Sequence, residues 1–493
     1  MTDTPKPKSP WRIRRRFLIT LAVIATFIAI AYTEEDLRGK YEWESYKHQW
    51  EAKGEKFDWQ AFVPSSVPDD QNFFTSPIFS NILKFKVTLY NTEQGVAEPN
   101  VKAAYWAGAN LTDLAGWQAY YRNLKDANSP DGFPIAPQPQ TPAADVLLAM
   151  SKYNPAIEEL RQASRLPYAN IPLNYEDGFA SASTLLPNLA ALKRCSSLLE
   201  FRAVAELANG QSDKAFNDVM LLFRLNDTIR SQPFLITHLV RMAIFSITLQ
   251  PIWEGLVRHA WTDDQLAQMN AELGKLDFLS DYEFTMRGER AFAIQTLENQ
   301  RITRKSETID ITGRTNTVNY SLMPAAYFYQ NELNFARMHQ QWLLPLVDVQ
   351  NRTVSPEAVQ HAYKLIQAQT KHYSPYKVQA LMAFPAVSAS ARRFAFAQAG
   401  VDLARTACAL ERYRLAHEGY PEALDALAPQ FIENVPHDLI NGQPLHYHPT
   451  SDGNFLLYSV GWNETDDGGK IAFTDNGNVD RNRGDWVWPA TAK

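Results

Sequence analysis

Few side chains in this sequence stand at spacings that chemistry would need. His437, His446 and His448 fall close together, and His446 and His448 would share one face of a strand. They could reach zinc, but no cysteine or well-spaced third ligand stands near them, and surface histidines account for them as well. Asp263-Asp264 and Asp466-Asp467 are paired carboxylates, the residue type of acid–base catalysis. The first pair falls in the first turn of an expected helix, where negative charge complements the helix dipole. Glu283, Arg287, Glu289 and Arg290 fall on another expected helix and read as ion pairs between successive turns. Asp466, Asp467, Asp475 and Asp480 crowd a tail rich in Gly and Asn. As a solvated acidic loop they need no ligand, and their spacing is not that of an EF-hand. No GxSxG, Walker loop, HExxH or dinucleotide fingerprint occurs, so the catalytic residues, if any, stay unassigned.

The framework that must carry these residues is large. The chain has 493 residues, 45% apolar and 21% charged, which is ordinary for globular protein and ample for a large core. A net charge of −6, with basic residues dispersed beyond the N-terminus, gives no footprint for nucleic acid. The two cysteines, Cys195 and Cys408, exclude a disulfide-dense scaffold and read as separate buried thiols, although in an oxidising compartment they could pair.

Residues Phe17 to Tyr32 form an uncharged apolar run, which as a helix spans about 24 Å. That is a transmembrane anchor with side chains snorkelling at its ends. Arg12, Arg14, Arg15 and Arg16 precede it and Glu34, Glu35 and Asp36 follow, so the positive-inside rule leaves residues 1–16 in the cytoplasm and exports the rest. The rival reading is a cleaved signal peptide ending at Ala29-Ile30-Ala31; Trp11 and Tyr32 bracket the run as interface residues and favour retention. A type IV prepilin start is absent, with Arg16 before Phe17 and Leu21 in place of the glutamate. The apolar stretch Phe234 to Trp253 carries His238, Arg241 and Gln250 and reads as a buried helix pair.

The expected fold is mainly α: the anchor (17–32), a juxtamembrane helix and irregular Pro-rich region (33–140), a multi-helix body (141–400) and a small α+β module (401–493). Leu37 to Trp50 is an aromatic, charged helix expected to pack on the body. Prolines then exclude long helices, leaving a short strand at Leu83 to Leu89 and a short helix at Leu111 to Tyr121. In the body, Thr141-Pro142 and Asn154-Pro155 read as N-caps followed by proline, and Thr262 to Gln265 and Ser280 to Glu283 as capping boxes. Leu189, Leu192, Cys195 and Leu199 line one helix face that ends at Asn209-Gly210, and the next helix buries Phe216, Val219 and Phe223. One junction of small residues around Ala203, Gly210 and Ala215 is like that of a tetratricopeptide hairpin, but no second copy appears. The Thr-rich stretch Lys305 to Asn319 reads as a loop or lid, Ser355-Pro356 opens another helix, and a long helix covers Val387 to His417. Strands are expected at Pro444 to His448 and Phe455 to Ser459.

The C-terminal residues ALERYRLAHEGYPEALDAL (Ala409 to Leu427), VPHDLINGQPLHYH (Val435 to His448) and FLLYSVGWNETDDGG (Phe455 to Gly469) resemble the globular end of the type II secretion major pseudopilin. That resemblance implies a long helix, a Gly-Tyr-Pro turn and a Tyr-Ser-x-Gly strand end. It also implies a calcium site after that strand, here Asp466, Asp467, Asp475 and Asp480. The whole chain also resembles uncharacterised membrane-anchored envelope proteins of planctomycete and verrucomicrobial bacteria, which supplies topology and no chemistry. The reading that results is a scaffold or binding protein of the bacterial envelope, its body in the periplasm, with an envelope protein as partner. An exported hydrolase with a carboxylate-based site, or an accessory part of a secretion or pilus-like system, are the alternatives.

Overall fold

The computed structural model describes residues 10–79, 104–124, 132–175, 182–305, 307–311, 314–321, 323–370, 374–381 and 389–492. Helices dominate. In chain order they are α1 (Pro10–Glu51), α2 (Leu114–Arg122), α3 (Pro142–Met150), α4 (Asn154–Ala163), α5 (Ala182–Ala208) and α6 (Ser212–Asp227), then α7 (Leu235–Val257), α8 (Asp263–Gly274) and α9 (Phe278–Thr303). The hairpin β1 (Glu307–Ile311) and β2 (Arg314–Val318), α10 (Ala325–Met338), the short pair β3 (Val347–Asp348) and β4 (Thr353–Val354), α11 (Pro356–Thr370) and α12 (Ser390–His417) follow. The C-terminal strands are β5 (His446–Pro449), β6 (Phe455–Ser459), β7 (Ile471–Phe473), β8 (Val479–Gly484) and β9 (Trp486–Trp488). The expected strand at Leu83 to Leu89 lies outside the described residues.

Local capping explains several helix starts, with two corrections. Thr141 accepts from the Ala144 amide, Ser355 from Ala358, and Thr262 with Gln265 closes a full capping box. Asn154, expected to cap α4, is instead its first helical residue, and its side-chain oxygen accepts from Arg202. Ser280 does not start α9. The helix begins at Phe278, and Asp277 accepts both the Ser280 amide and its hydroxyl, an anionic acceptor three residues upstream winning over the serine.

Two expectations about element type and one about burial also change. The stretch Lys305 to Asn319 contains the antiparallel hairpin β1–β2, in keeping with its β-branched residues. Past its N-cap Phe234, the stretch to Trp253 lies in one continuous helix, α7, rather than a pair. Phe216 on α6 is half-buried, whereas Val219 and Phe223 are buried.

The chain forms two compact units interleaved in sequence. One comprises Met1–Ala61, Arg290–Leu343 and Lys364–Pro385. In it the C-terminal half of α1 packs along α10. Gly39 allows the close approach, since a Cβ there would meet the Ala326 Cα at 3.3 Å. Trp43, Tyr46, Phe57, Ile294, Leu333 and Ala336 form the core of this contact, with Trp43 edge-on to Phe57. Asp36 accepts from the Ala326 amide at 2.6 Å and so holds the first turn of α10. Arg290 is buried beneath this core, paired with Glu55 at 2.7 Å and lying over the Phe57 ring.

The other unit comprises Phe62–Glu289, Leu344–Tyr363 and Ala386–Lys493. Helices α5, α6 and α7 pack on one another, and α12 packs on α7 and α8. The β5–β6–β9 antiparallel sheet lies against α12, with Trp486 edge-on to Phe396. Trp488 packs on Trp106, and the Trp253 indole donates to the Pro489 carbonyl. The C-terminal strands are therefore part of this unit's core.

At Gly255 on α7, the Trp261 indole occupies the space a Cβ would need, while its own N–H bonds the Ile252 carbonyl. Gly255→Ala is expected to lower stability by about 1–3 kcal/mol through overpacking, read as a lower urea midpoint; an unchanged midpoint would show that the indole moves freely.

Candidate functional site

The acidic tail and the histidines are explained first by local bonding. Asp466 accepts from the Tyr458 hydroxyl and the Gly468 amide, which hold its carboxyl below the usual range. His446, cross-strand from Tyr458, stacks on that ring, with its Nδ1 3.5 Å from Asp466. Asp467 accepts from the Asn463 side chain. Asp480 accepts from the Asn482 amide and from Arg483 at 2.7 Å, and its carboxyl is likewise lowered. Among the described residues no three His, Cys, Asp or Glu converge as a metal site would require. His448 is exposed on β5, and His437 is bridged to Pro444. Of the paired carboxylates, Asp263 holds Arg412 at 2.8 Å.

The carboxylates that organise this region are ones the sequence did not single out. Asp438, fully buried, accepts from the Ile440 amide, the Ser459 hydroxyl and the Val460 amide. It ties the Val435-to-His448 segment to the end of β6. Asp485 accepts from the Asp467 and Gly469 amides and fixes the loop between them. Glu411 on α12 holds His259, Arg414 and Tyr420, so the Gly419-Tyr420-Pro421 turn is bound back to its helix. His259 has φ of 50°, which follows from its place just past the end of α7, where its amide bonds Leu256 and the next bonds Gly255.

The remaining sequence candidates are also structural. Glu283 pairs with Arg287 as expected, at 2.7 Å. Among the described residues Glu289 forms no ion pair; it accepts the Leu235 amide, and burial raises its carboxyl to about 6. Buried Asp281 is paired with Arg241, and His238 stands 3.8 Å away. Cys195 and Cys408 are separate, buried and free, and burial pushes both thiols up to about 12. They are inert at neutral pH.

One cavity brings charged groups from distant segments together. It has a volume of ≈ 200 Å³ and is lined by Arg352, Asp402, Arg405, Asn434, Val435, Pro436 and His437. Asp402 and Arg405 project from α12, Arg352 from the β3–β4 turn, and 434–437 from the segment that Asp438 anchors. Asp402 is 6% exposed and accepts from Gln398 at 3.0 Å, and Gln398 is itself fixed by the Phe278 amide. Burial raises the Asp402 carboxyl to about 6, against the pull of Arg352, the Gln398 bond, Arg405 and His437. Sequence spacing could not find this set, because its members lie on three separate segments.

No protein-family model, curated protein or solved structure matches the chain.

The raised Asp402 carboxyl ties stability to pH. The folded state binds its proton more tightly than the unfolded chain, so the contribution is full below about pH 4 and is lost as pH rises through 6. Asp402→Asn is expected to leave stability near wild type at pH 4 and to exceed it at pH 7.5, by on the order of 2–3 kcal/mol. Urea midpoints at the two pH values check this, and a pH-independent difference would contradict it.

Proposed function

We propose that this chain is a single-pass, membrane-anchored protein of the bacterial cell envelope, with its N-terminus in the cytoplasm and its body in the periplasm, where it works as a scaffold or binding protein. The observation that carries this reading is the division of α1 into two halves. Residues Phe17 to Tyr32 are bare, with Phe17 67% and Phe27 70% exposed, whereas Trp43 and Tyr46 are buried. A bare apolar helix of that length is stable in a bilayer and costly in water. Two helices among the described residues are long and apolar enough to cross a membrane, and the second, α7, is mostly buried within its own unit and carries the buried Arg241–Asp281 pair. That favours one span.

The flanking charges support the orientation, with Arg14, Arg15 and Arg16 before the run and Glu34, Glu35 and Asp36 after it. Retention is supported by the helix itself: Ala29-Ile30-Ala31 lies inside an uninterrupted helix, not at an extended cleavage segment. A binding role is supported by the cavity at Asp402, whose lining combines one carboxylate with two arginines and a histidine, a recognition set rather than the two facing carboxylates of an acid–base hydrolase.

The expected outcome in a bacterial host is resistance to alkaline carbonate extraction, an intact N-terminus by mass spectrometry, and digestion of the body by protease added to spheroplasts. A chain lacking residues 1–33 should fractionate as soluble, its helical circular dichroism falling only by the part of α1 that is removed. Protection of the body in spheroplasts would overturn the orientation, and a mature start at Tyr32 would replace the anchor with a cleaved signal.

A further inference from the structure

We propose that the cavity bounded by Arg352, Asp402, Arg405 and His437 binds a small carboxylate that carries a hydrogen-bond donor beside it, that is, a 2-hydroxy or 2-amino acid. This goes beyond the scaffold reading and does not depend on the orientation of the anchor.

The argument starts from charge. Two guanidinium groups lining one cavity repel each other, and an anion between them relieves that repulsion. The only anionic side chain lining the cavity is Asp402, and among the described residues it forms no ion pair. Its Oδ1 accepts from Gln398 at 3.0 Å, while its Oδ2 has no partner among the described residues. The opposite charges thus line the same cavity without closing into a salt bridge. A ligand with an acceptor at one end and a donor at the other completes both sides.

Each group is held in place from outside the cavity. Arg405 donates through Nε to Asn270 at 3.3 Å, and Asn270 is fixed by the Phe431 carbonyl, so the terminal nitrogens are the part left for a ligand. Arg352 lies at the mouth with its side chain 40% exposed, steadied by Asp277 at 3.5 Å. Its φ of 52° sets the β3–β4 turn. His437 precedes Asp438, whose three accepted bonds fix that segment. Arginine recognises a carboxylate through paired N–H donors, and Asp402 accepts from the neighbouring hydroxyl or ammonium. The cavity of ≈ 200 Å³ leaves room for roughly half a dozen non-hydrogen atoms, the size of the smallest hydroxy and amino acids.

Isothermal titration of the full-length protein in detergent at pH 7.5, with glycolate, glycine, acetate and inorganic phosphate as separate probes, tests this. Glycolate or glycine should bind saturably and at least about tenfold more tightly than acetate, the margin of one charge-assisted hydrogen bond. Arg405→Gln should weaken that binding about tenfold or more. Asp402→Asn should reduce the preference over acetate while leaving acetate binding in place. Arg352→Gln, at the exposed mouth, gives a second reading should Arg405→Gln fail to fold. Absence of saturable binding by every probe would overturn the proposal. Acetate binding as tightly as glycolate and glycine would overturn the role of Asp402, and phosphate binding more tightly than all three would assign the cavity to phosphate instead.

Discussion

The structure rests on one helix that must satisfy two solvents. α1 has 42 residues, about 63 Å of continuous helix, and its surface changes character partway along. Its first half offers apolar side chains that stay exposed among the described residues. Its second half buries Trp43 and Tyr46 against α10, Phe57 and the latter part of α9. Because the backbone is uninterrupted, the register of the buried half fixes that of the bare half. Asp36, which holds the first turn of α10, stands just beyond the apolar run, so the packing contact begins where the run ends.

The second unit is governed by buried carboxylates, and their partners separate structural from recognition roles. Asp438, Asp485 and Glu411 each meet several donors and each pins a loop to a strand or helix. Asp218 is closed in the same way by Arg161 and Arg202. Such charges, fully met, define a unique loop geometry. Asp402 departs from this pattern, with one bond and basic groups lining the same cavity. That contrast, more than the cavity's size, marks it as a place for a ligand.

Much of the fold was legible in the sequence because much of it is local. Thr141, Thr262 and Ser355 cap helices within three or four residues of themselves, and the faces of α5 and α8 follow from apolar spacing. Ser280 misled because a stronger acceptor, Asp277, lay just upstream. The β1–β2 hairpin was hidden by its polar threonines, although their β-branching was a signal for strands. The cavity was not legible at all. Arg352, Asp402, Arg405 and His437 meet only through tertiary packing, and no local pattern records that. Asp438 links the segment before β5 to the end of β6, a contact that spacing alone does not display.

The two-solvent account of α1 is tested most directly by depth quenching along the helix. Cys195 and Cys408 are buried with raised thiol pKa, so they need not be removed. A thiol-reactive fluorophore placed by Leu21→Cys, Phe27→Cys and Glu44→Cys, one at a time, would be read in vesicles of brominated lipid. Strong quenching at positions 21 and 27 with none at 44 is the predicted result. Equal quenching at all three, or none at 21 and 27, would contradict a helix divided between bilayer and protein.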